Sequence, residues 1–223
     1  MNKRTIKNLL YEQVARVGSA LSSPKRLELL ELLAQGEKTV EALAQELSVD
    51  IKLASAHLKA LKMARLVTSQ RQGKYQVYRL SGHDVADLWV QLRQVAEEHV
   101  LELRLALNQM VTHPQQLSPM TRETLLAQAR RGEVVVIDVR PRQEYDEAHL
   151  PFARSMPVAE LKRRINELPK GKEIVAYCRG PFCLLSDEAM QILIAQGRRV
   201  RKLTDGVNEW RAAGLPLETS NTP

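Results

Sequence analysis

The sequence has little cysteine, few aromatic residues and no long apolar stretch. Only two of its 223 residues are cysteines, Cys178 and Cys183. That density excludes a small secreted fold held together by disulfides, and two thiols five residues apart read instead as chemistry. No run of about 18 apolar residues occurs, so no spanning helix and no membrane partner are expected. The opening residues, Met1 to Thr5, carry charge straight into a helical pattern and lack the continuous apolar core of a signal peptide. The protein is therefore expected in the cytoplasm.

What is present is an ordinary globular composition, 44% hydrophobic and 26% charged, with a net charge of +7. The length suits one large domain or two of usual size. A basic balance fits a polyanionic partner such as nucleic acid, or a surface that is only solvated; the positions of the cations must decide. The pattern changes near residue 111. Before it the chain reads as five helices and one hairpin. After it, β-branched runs at 134–137 and 173–177 alternate with helical stretches, the signature of a parallel α/β unit. Two prolines, Pro114 and Pro119, among polar residues mark 111–120 as a linker. The expected division is 1–110, linker 111–120, 121–217, and a tail 218–223.

In the first half, helices are expected over 5–21, from Pro24 to about Gly36, from Thr39 to Leu47, over 51–64, and from about Asp84 to Met110. Thr39 and Asp50 are placed to cap the two short helices. Two short helices joined by a tight turn, the second one basic, form a helix-turn-helix pattern. A hairpin with its tip at Gln72, Gly73 and Lys74 follows as a wing. The second short helix carries Lys52, Ser55, His57, Lys59 and Lys62, with Leu53, Leu58 and Leu61 available for the core, and the hairpin adds Arg71 and Lys74. These seven polar residues are the candidate DNA contacts, to phosphates and base edges; a solvated basic helix is the alternative.

The segments "LSSPKRLELLELLAQGEKTVEALAQEL", "ASAHLKALKMARLV" and "RQGKYQVYRL" resemble the ArsR family of winged-helix repressors over about residues 5–108. The resemblance implies a homodimer formed through the first and last helices and a palindromic double-stranded DNA operator. Leu88, Leu92, Val95, Val100, Leu103 and Leu107 recur near helical spacing, as a partner surface or as packing within the domain. Many such repressors bind metals. Here the start of the helix near Val40 has no cysteine, and His99 with Glu102 has no matching upstream pair near Ala86 and Leu88. A structural zinc site needs about four ligands, so no metal and no cofactor are expected.

In the second half, the run ending at Tyr177 places Cys178 at the carboxyl end of a strand, before a helix start. Amides and the helix dipole at such a place favour the thiolate, which is the nucleophile, and Arg179 adds positive charge. An inert strand-end cysteine is the alternative. Cys183 is either a second reactive thiol or a half-buried helix-start residue. Cys178, Arg179 and Cys183 are the candidate catalytic residues. "DVRPRQEYDEAHLPFARSMP", "YCRGPFCLLSDEA" and "DGVNEWRAAGLPLE" resemble the rhodanese family over about residues 121–217. That resemblance implies a five-stranded parallel α/β fold, sulfur transfer through Cys178, and a scaffold role for Asp138, Arg140, Glu144 and His149. The loop departs from the family in having Pro181 for glycine and Cys183 for arginine. Phosphatase relatives have an arginine where Leu184 stands.

The whole chain is thus expected to be a mainly α winged helix-turn-helix followed by an α/β rhodanese-like parallel sheet. Its expected partners are operator DNA, a small sulfane-sulfur donor and a second copy of itself. A DNA-binding repressor responsive to sulfur is the leading expectation. The alternatives are a sulfurtransferase localised or dimerised by the winged helix, and a constitutive DNA-binding protein with an inactive rhodanese fold.

Overall fold

Short polar side chains start most helices of the first half. A computed structural model describes residues 2–110 and 117–220. Asn2 caps α1 (Lys3–Leu21) by accepting from the Arg4 amide at 3.0 Å. α2 (Pro24–Leu33) opens on proline, whose missing N–H would have had no intrahelical partner there. After the two-residue strand β1 (Lys38–Thr39), Thr39 caps α3 (Val40–Glu46) through the Ala42 amide at 3.2 Å. Asp50 caps α4 (Ile51–Met63) through the Leu53 amide at 2.8 Å. Each cap satisfies an otherwise orphaned first-turn donor. β2 (Val67–Gln72) and β3 (Tyr75–Leu80) form the hairpin, with Gln72 opposite Tyr75, so only Gly73 and Lys74 make the turn. Gly73 has φ +59°, a left-handed conformation that suits glycine. β1 adds to β3 and completes an antiparallel sheet of order β1-β3-β2.

Two expectations for this half are corrected. Leu53 is 42% exposed and does not join the core; Ala54, Leu58 and Leu61, spaced i, i+4, i+7, form the buried face. They pack with Leu29, Leu33, Leu43 and Leu47. The long last helix is also not continuous. It divides at Val100 into α5 (His83–His99) and α6 (Leu101–Met110). Helical bonds bracket the division, with the Val100 amide donating to Ala96 O at 2.8 Å and the Arg104 amide to Val100 O at 3.3 Å.

The chain divides into two compact units, Met1–Trp89 and Val90–Pro223. In the second, Thr121 caps α7 (Arg122–Arg130). There follow β4 (Val134–Asp138), α8 (Arg142–Glu147), β5 (Arg154–Ser155), α9 (Val158–Arg164), β6 (Glu173–Tyr177), α10 (Leu185–Ala195), β7 (Val200–Lys202) and α11 (Val207–Ala212). The strands are parallel in the order β5-β4-β6-β7. Every residue of β4 is buried because the sheet is covered on both faces. Val135 and Ile137 join one cluster with Leu161 and Leu193, while Val134 and Val136 join the other with Leu125 and Trp210. Such alternation is the period-2 pattern of a doubly covered strand.

Four strands form this sheet among the described residues, not the five implied by resemblance. The fifth position is reduced to a parallel bridge between Leu117 and Lys202, with the Ser118 amide donating to Lys202 O at 2.8 Å. Of the expected linker, 111–116 lie outside the described residues. Paired backbone runs past residue 217, since Glu218 bridges His149 through bonds of 2.8 and 2.9 Å. No helix among the described residues is long and apolar enough to cross a membrane.

Candidate functional site

The inner strand β6 ends at Tyr177 and delivers Cys178 to the carboxyl edge of the parallel sheet, where open α/β folds build their sites. The chain turns through Gly180, with φ +147°, and the Cys183 amide closes the turn on Gly180 O at 3.1 Å. α10 starts two residues later. Its first turn brings the buried Ser186 hydroxyl to 3.3 Å from Cys178 Sγ. The carbonyl oxygens of Gly180 and Cys183 lie 3.8 and 3.7 Å from the sulfur and can accept from the protonated thiol. Both cysteines are buried and neither is in a disulfide.

The same loop holds the anion. Burial pushes the Cys178 thiol up, but hydrogen bonds from the Cys183 thiol and the Ser186 hydroxyl, with backbone bonds at Gly180 and Ser186, outweigh it. The net effect places Cys178 below the ordinary thiol range. Cys183 moves the opposite way. Its hydrogen bond to Cys178, then its own burial, hold its proton well above that range. One thiol is thereby favoured as the anion and its neighbour as the proton-bearing donor.

Three braces hold the loop. Glu144 of α8 receives the Arg179 guanidinium through two bonds, Nη2 to Oε1 at 2.6 Å and Nε to Oε2 at 3.0 Å. Arg179 therefore ties the loop to α8. Gly206, just before α11, touches the loop backbone: a Cβ there would lie 2.5 Å from the carbonyl carbon and oxygen of Arg179 and 2.7 Å from Cys178 O. Glu209 accepts from the Gly206 amide at 2.7 Å, and its carboxylate stands 3.2 Å from where a Gly180 Cβ would be. Behind the loop, Asp138 and Arg140 pair at 2.5 Å with both side chains fully buried, and Arg140 also donates to Ala148 O at 2.7 Å. Burial opposes the Arg140 charge, but the Asp138 carboxylate more than restores it. His149 stacks on Tyr145, ring centroids 3.7 Å apart.

In the first unit, Lys52, Ser55, Lys59 and Lys62 follow one another at i, i+3, i+7, i+10 on α4, about 110° around the helix from the buried face. Lys52, Lys59 and Lys62 are exposed and Ser55 is half-buried. Lys62 Nζ donates to Ser69 Oγ of the wing at 2.7 Å. His57 stands about 140° or more around the helix from each of them and is half-buried, so it does not share their face. Arg71 donates to Gly73 O at 3.0 Å, and Lys74 Nζ lies 5.1 Å from the Tyr75 ring, which holds both cations at the hairpin tip.

The structure also brings in residues to which the sequence reading gave no role at the thiol. Ser186 is eight positions from Cys178 and reaches it only because the loop folds back onto the helix start. Its one local signal is a hydroxyl in the first turn of a helix that follows the cysteine. Glu209 and Arg93 lie far from the loop in sequence and carry no local signal.

Residues 121–213 match the rhodanese-like domain, and residues 23–69 match the bacterial regulatory protein, arsR family. The HTH-type transcriptional regulator Rv0324 of Mycobacterium tuberculosis is 44% identical over 212 residues, covering 95% of this chain and 93% of that protein. A sulfurtransferase of Allochromatium vinosum is 33% identical over 86 residues, covering 38% of this chain and 78% of that one. Among solved structures, the homodimeric winged helix-turn-helix DNA-binding domain of a possible ArsR-family regulator from Mycobacterium bovis is 46% identical. It covers 46% of this chain and 93% of its own, with a TM-score of 0.42.

Proposed function

This chain is an ArsR-family helix-turn-helix transcriptional regulator that carries a rhodanese-like domain, and from that premise we propose that it is a cytoplasmic repressor whose hold on DNA responds to sulfane sulfur captured by Cys178. One observation carries the reading: the buried Cys178 thiol has hydrogen bonds from Cys183 and Ser186 that favour its anion. In this reading residues 1–110 bind the operator and dimerise, 111–120 join the parts, 121–217 handle sulfur, and 218–223 are a tail. Lys52, Ser55, Lys59 and Lys62 meet the groove, His57 stands on the other side of the helix from them, and Arg71 and Lys74 reach a neighbouring phosphate. Exposed Leu10, Tyr11 and Val14 on α1, and Leu88, Leu92 and Val95 on α5, support the dimer.

The chemistry starts with the Cys178 thiolate attacking a sulfur of a polysulfide. The Cys178 S–S bond forms, the donor S–S bond breaks, and the shortened polysulfide leaves with the electron pair. The outer sulfur is then a persulfide anion. Cys183 can attack Cys178 Sγ once its proton passes to the departing sulfur. That step forms the Cys178–Cys183 disulfide and releases hydrosulfide; the two thiols are oxidised and the sulfane sulfur is reduced. Arg179 acts through Glu144 to hold the loop for both steps.

The test pairs intact-mass spectrometry with operator affinity on one polysulfide-treated sample of the full chain, the operator being selected from a random DNA pool. The expected result is about 32 Da per added sulfur at Cys178, absent in Cys178→Ser, together with a changed affinity. Loading without any change in affinity refutes the switch. Steady sulfur transfer to cyanide with no effect on DNA instead supports a sulfurtransferase that the winged helix localises.

A further inference from the structure

Arg93, on α5, is buried although it is an arginine on a helix whose neighbouring positions Leu92 and Val95 are exposed. Its guanidinium pairs with Glu97 one turn along the same helix, and its Nη2 bonds Glu209 Oε1 at 2.8 Å. Its Cζ lies 5.7 Å from the centroid of the Phe182 ring, within cation–π reach. Glu209 and Phe182 are both parts of the sulfur site: one stands against Gly180, and the other lies inside the loop between the two cysteines. We propose that Arg93 is the positioning residue that transmits the state of the Cys178 loop to helix α5, and so to DNA affinity. The inference rests on the sulfur-responsive reading above and names the residue through which the response travels.

A sulfur atom added to Cys178 needs room inside a close-packed cluster, and the loop must give way. So must it if Cys178 and Cys183 join, because a disulfide fixes their separation and direction. Gly180 and Phe182 are the loop residues that face the Glu209–Arg93 pair. Glu209 is as buried as Arg93, so the two charges cannot part without one being left unpaired in a dry site. The pair therefore moves with the loop. Arg93 binds Glu97 of its own helix through Nη1 while Nη2 holds Glu209, so the guanidinium ties the Glu209 carboxylate to α5. α5 begins at His83, and Val85 in its first turn is buried in the same core cluster as Leu58 and Leu61 of α4. A displacement of α5 is thus felt by the core that seats the DNA-facing helix.

The experiment uses the full chain, sodium tetrasulfide as the probe, and the selected operator fragment. Cys178 loading and operator affinity, before and after treatment, are measured for wild type, Arg93→Gln and Arg93→Lys. In wild type, treatment is expected to shift affinity about tenfold, equivalent to about 1.4 kcal/mol of differential coupling. Arg93→Gln is expected to load sulfur and to bind untreated DNA as wild type does, yet to shift less than about twofold. Arg93→Lys keeps the charge and is expected to recover part of the response, which a loss of structure alone would not produce. A full shift in Arg93→Gln overturns the role of Arg93 and leaves the sulfur-responsive reading intact. An unresponsive wild type overturns both. If Arg93→Gln does not fold, Phe182→Leu combined with Glu209→Gln removes both contacts from the other side, and a full shift in that double variant overturns the proposal equally.

Discussion

Replacing Ser186 with alanine removes the hydroxyl 3.3 Å from Cys178 Sγ while leaving its backbone in the first turn of α10. A hydrogen bond to a charged group is worth about 1.5–3 kcal/mol, and one pKa unit is about 1.4 kcal/mol. The anion loses a donor, so the Cys178 pKa rises, by about 1–2 units. Two effects then oppose each other at about pH 5, below the wild-type Cys178 value of about 6. The thiolate fraction falls about 10- to 100-fold, while the more basic thiolate is a better nucleophile with a Brønsted slope of about 0.45. Together they slow attack on polysulfide by about 4- to 12-fold. Cys183→Ala is expected to act in the same direction but less, because a thiol is the weaker donor. The assay is the rate of iodoacetamide labelling at Cys178 against pH, followed by peptide mass. Wild type is expected to inflect below the ordinary thiol value of about 8.5, and both variants above wild type. An inflection that stays in place or moves down in Ser186→Ala would refute the reasoning, since it would mean the hydroxyl does not hold the anion.

Other outcomes follow from features of each unit. Lys59→Ala and Arg71→Ala should each weaken operator binding and reduce the salt slope by about one unit; His57→Ala, off the main face, should do less, and the reverse order in a binding titration would displace the groove assignment. Leu58→Ala should cost about 2–5 kcal/mol in denaturant unfolding, whereas the exposed Leu53 should tolerate alanine within about 0.5 kcal/mol; equal losses would restore Leu53 to the core. Gly206→Ala drives a Cβ to 2.5 Å from the Arg179 carbonyl group, so sulfur loading of Cys178 should fall sharply while operator binding by untreated protein is kept, and unchanged loading would show that the loop gives way there.

Capping chemistry made much of the fold readable before any coordinates. Thr39 and Asp50 announce α3 and α4, and a glycine between alternating runs announces the wing turn; these signals are local, and the observed bonds are the ones the side chains favour. β1 is too short at two residues to show alternation, and it exists only because β3 offers it an edge. Leu53 misled because it is the larger apolar side chain of the pair, while its neighbour Ala54, too small to stand out, takes the core position. At the sulfur site, the strand-end position of Cys178 was legible, and so were the flanking motifs. The engagement of Arg179 by Glu144, the approach of Ser186 and the reach of Arg93 are products of tertiary folding. Partners separated by 35, 8 and 116 positions leave no periodic trace.

A thiol that is 2% exposed behind its own loop is guarded by width as well as by charge. A linear polysulfide is one atom across and needs the least displacement of the loop to bring its end sulfur to Cys178. A peptide disulfide brings two bulky flanks and must displace far more of the loop. The burial of Cys178 thus acts as a sieve. Oxidants of different girth but equal driving force would load it at different rates, and the thiol could stay reduced amid abundant bulky disulfides yet fill when slender sulfur chains accumulate.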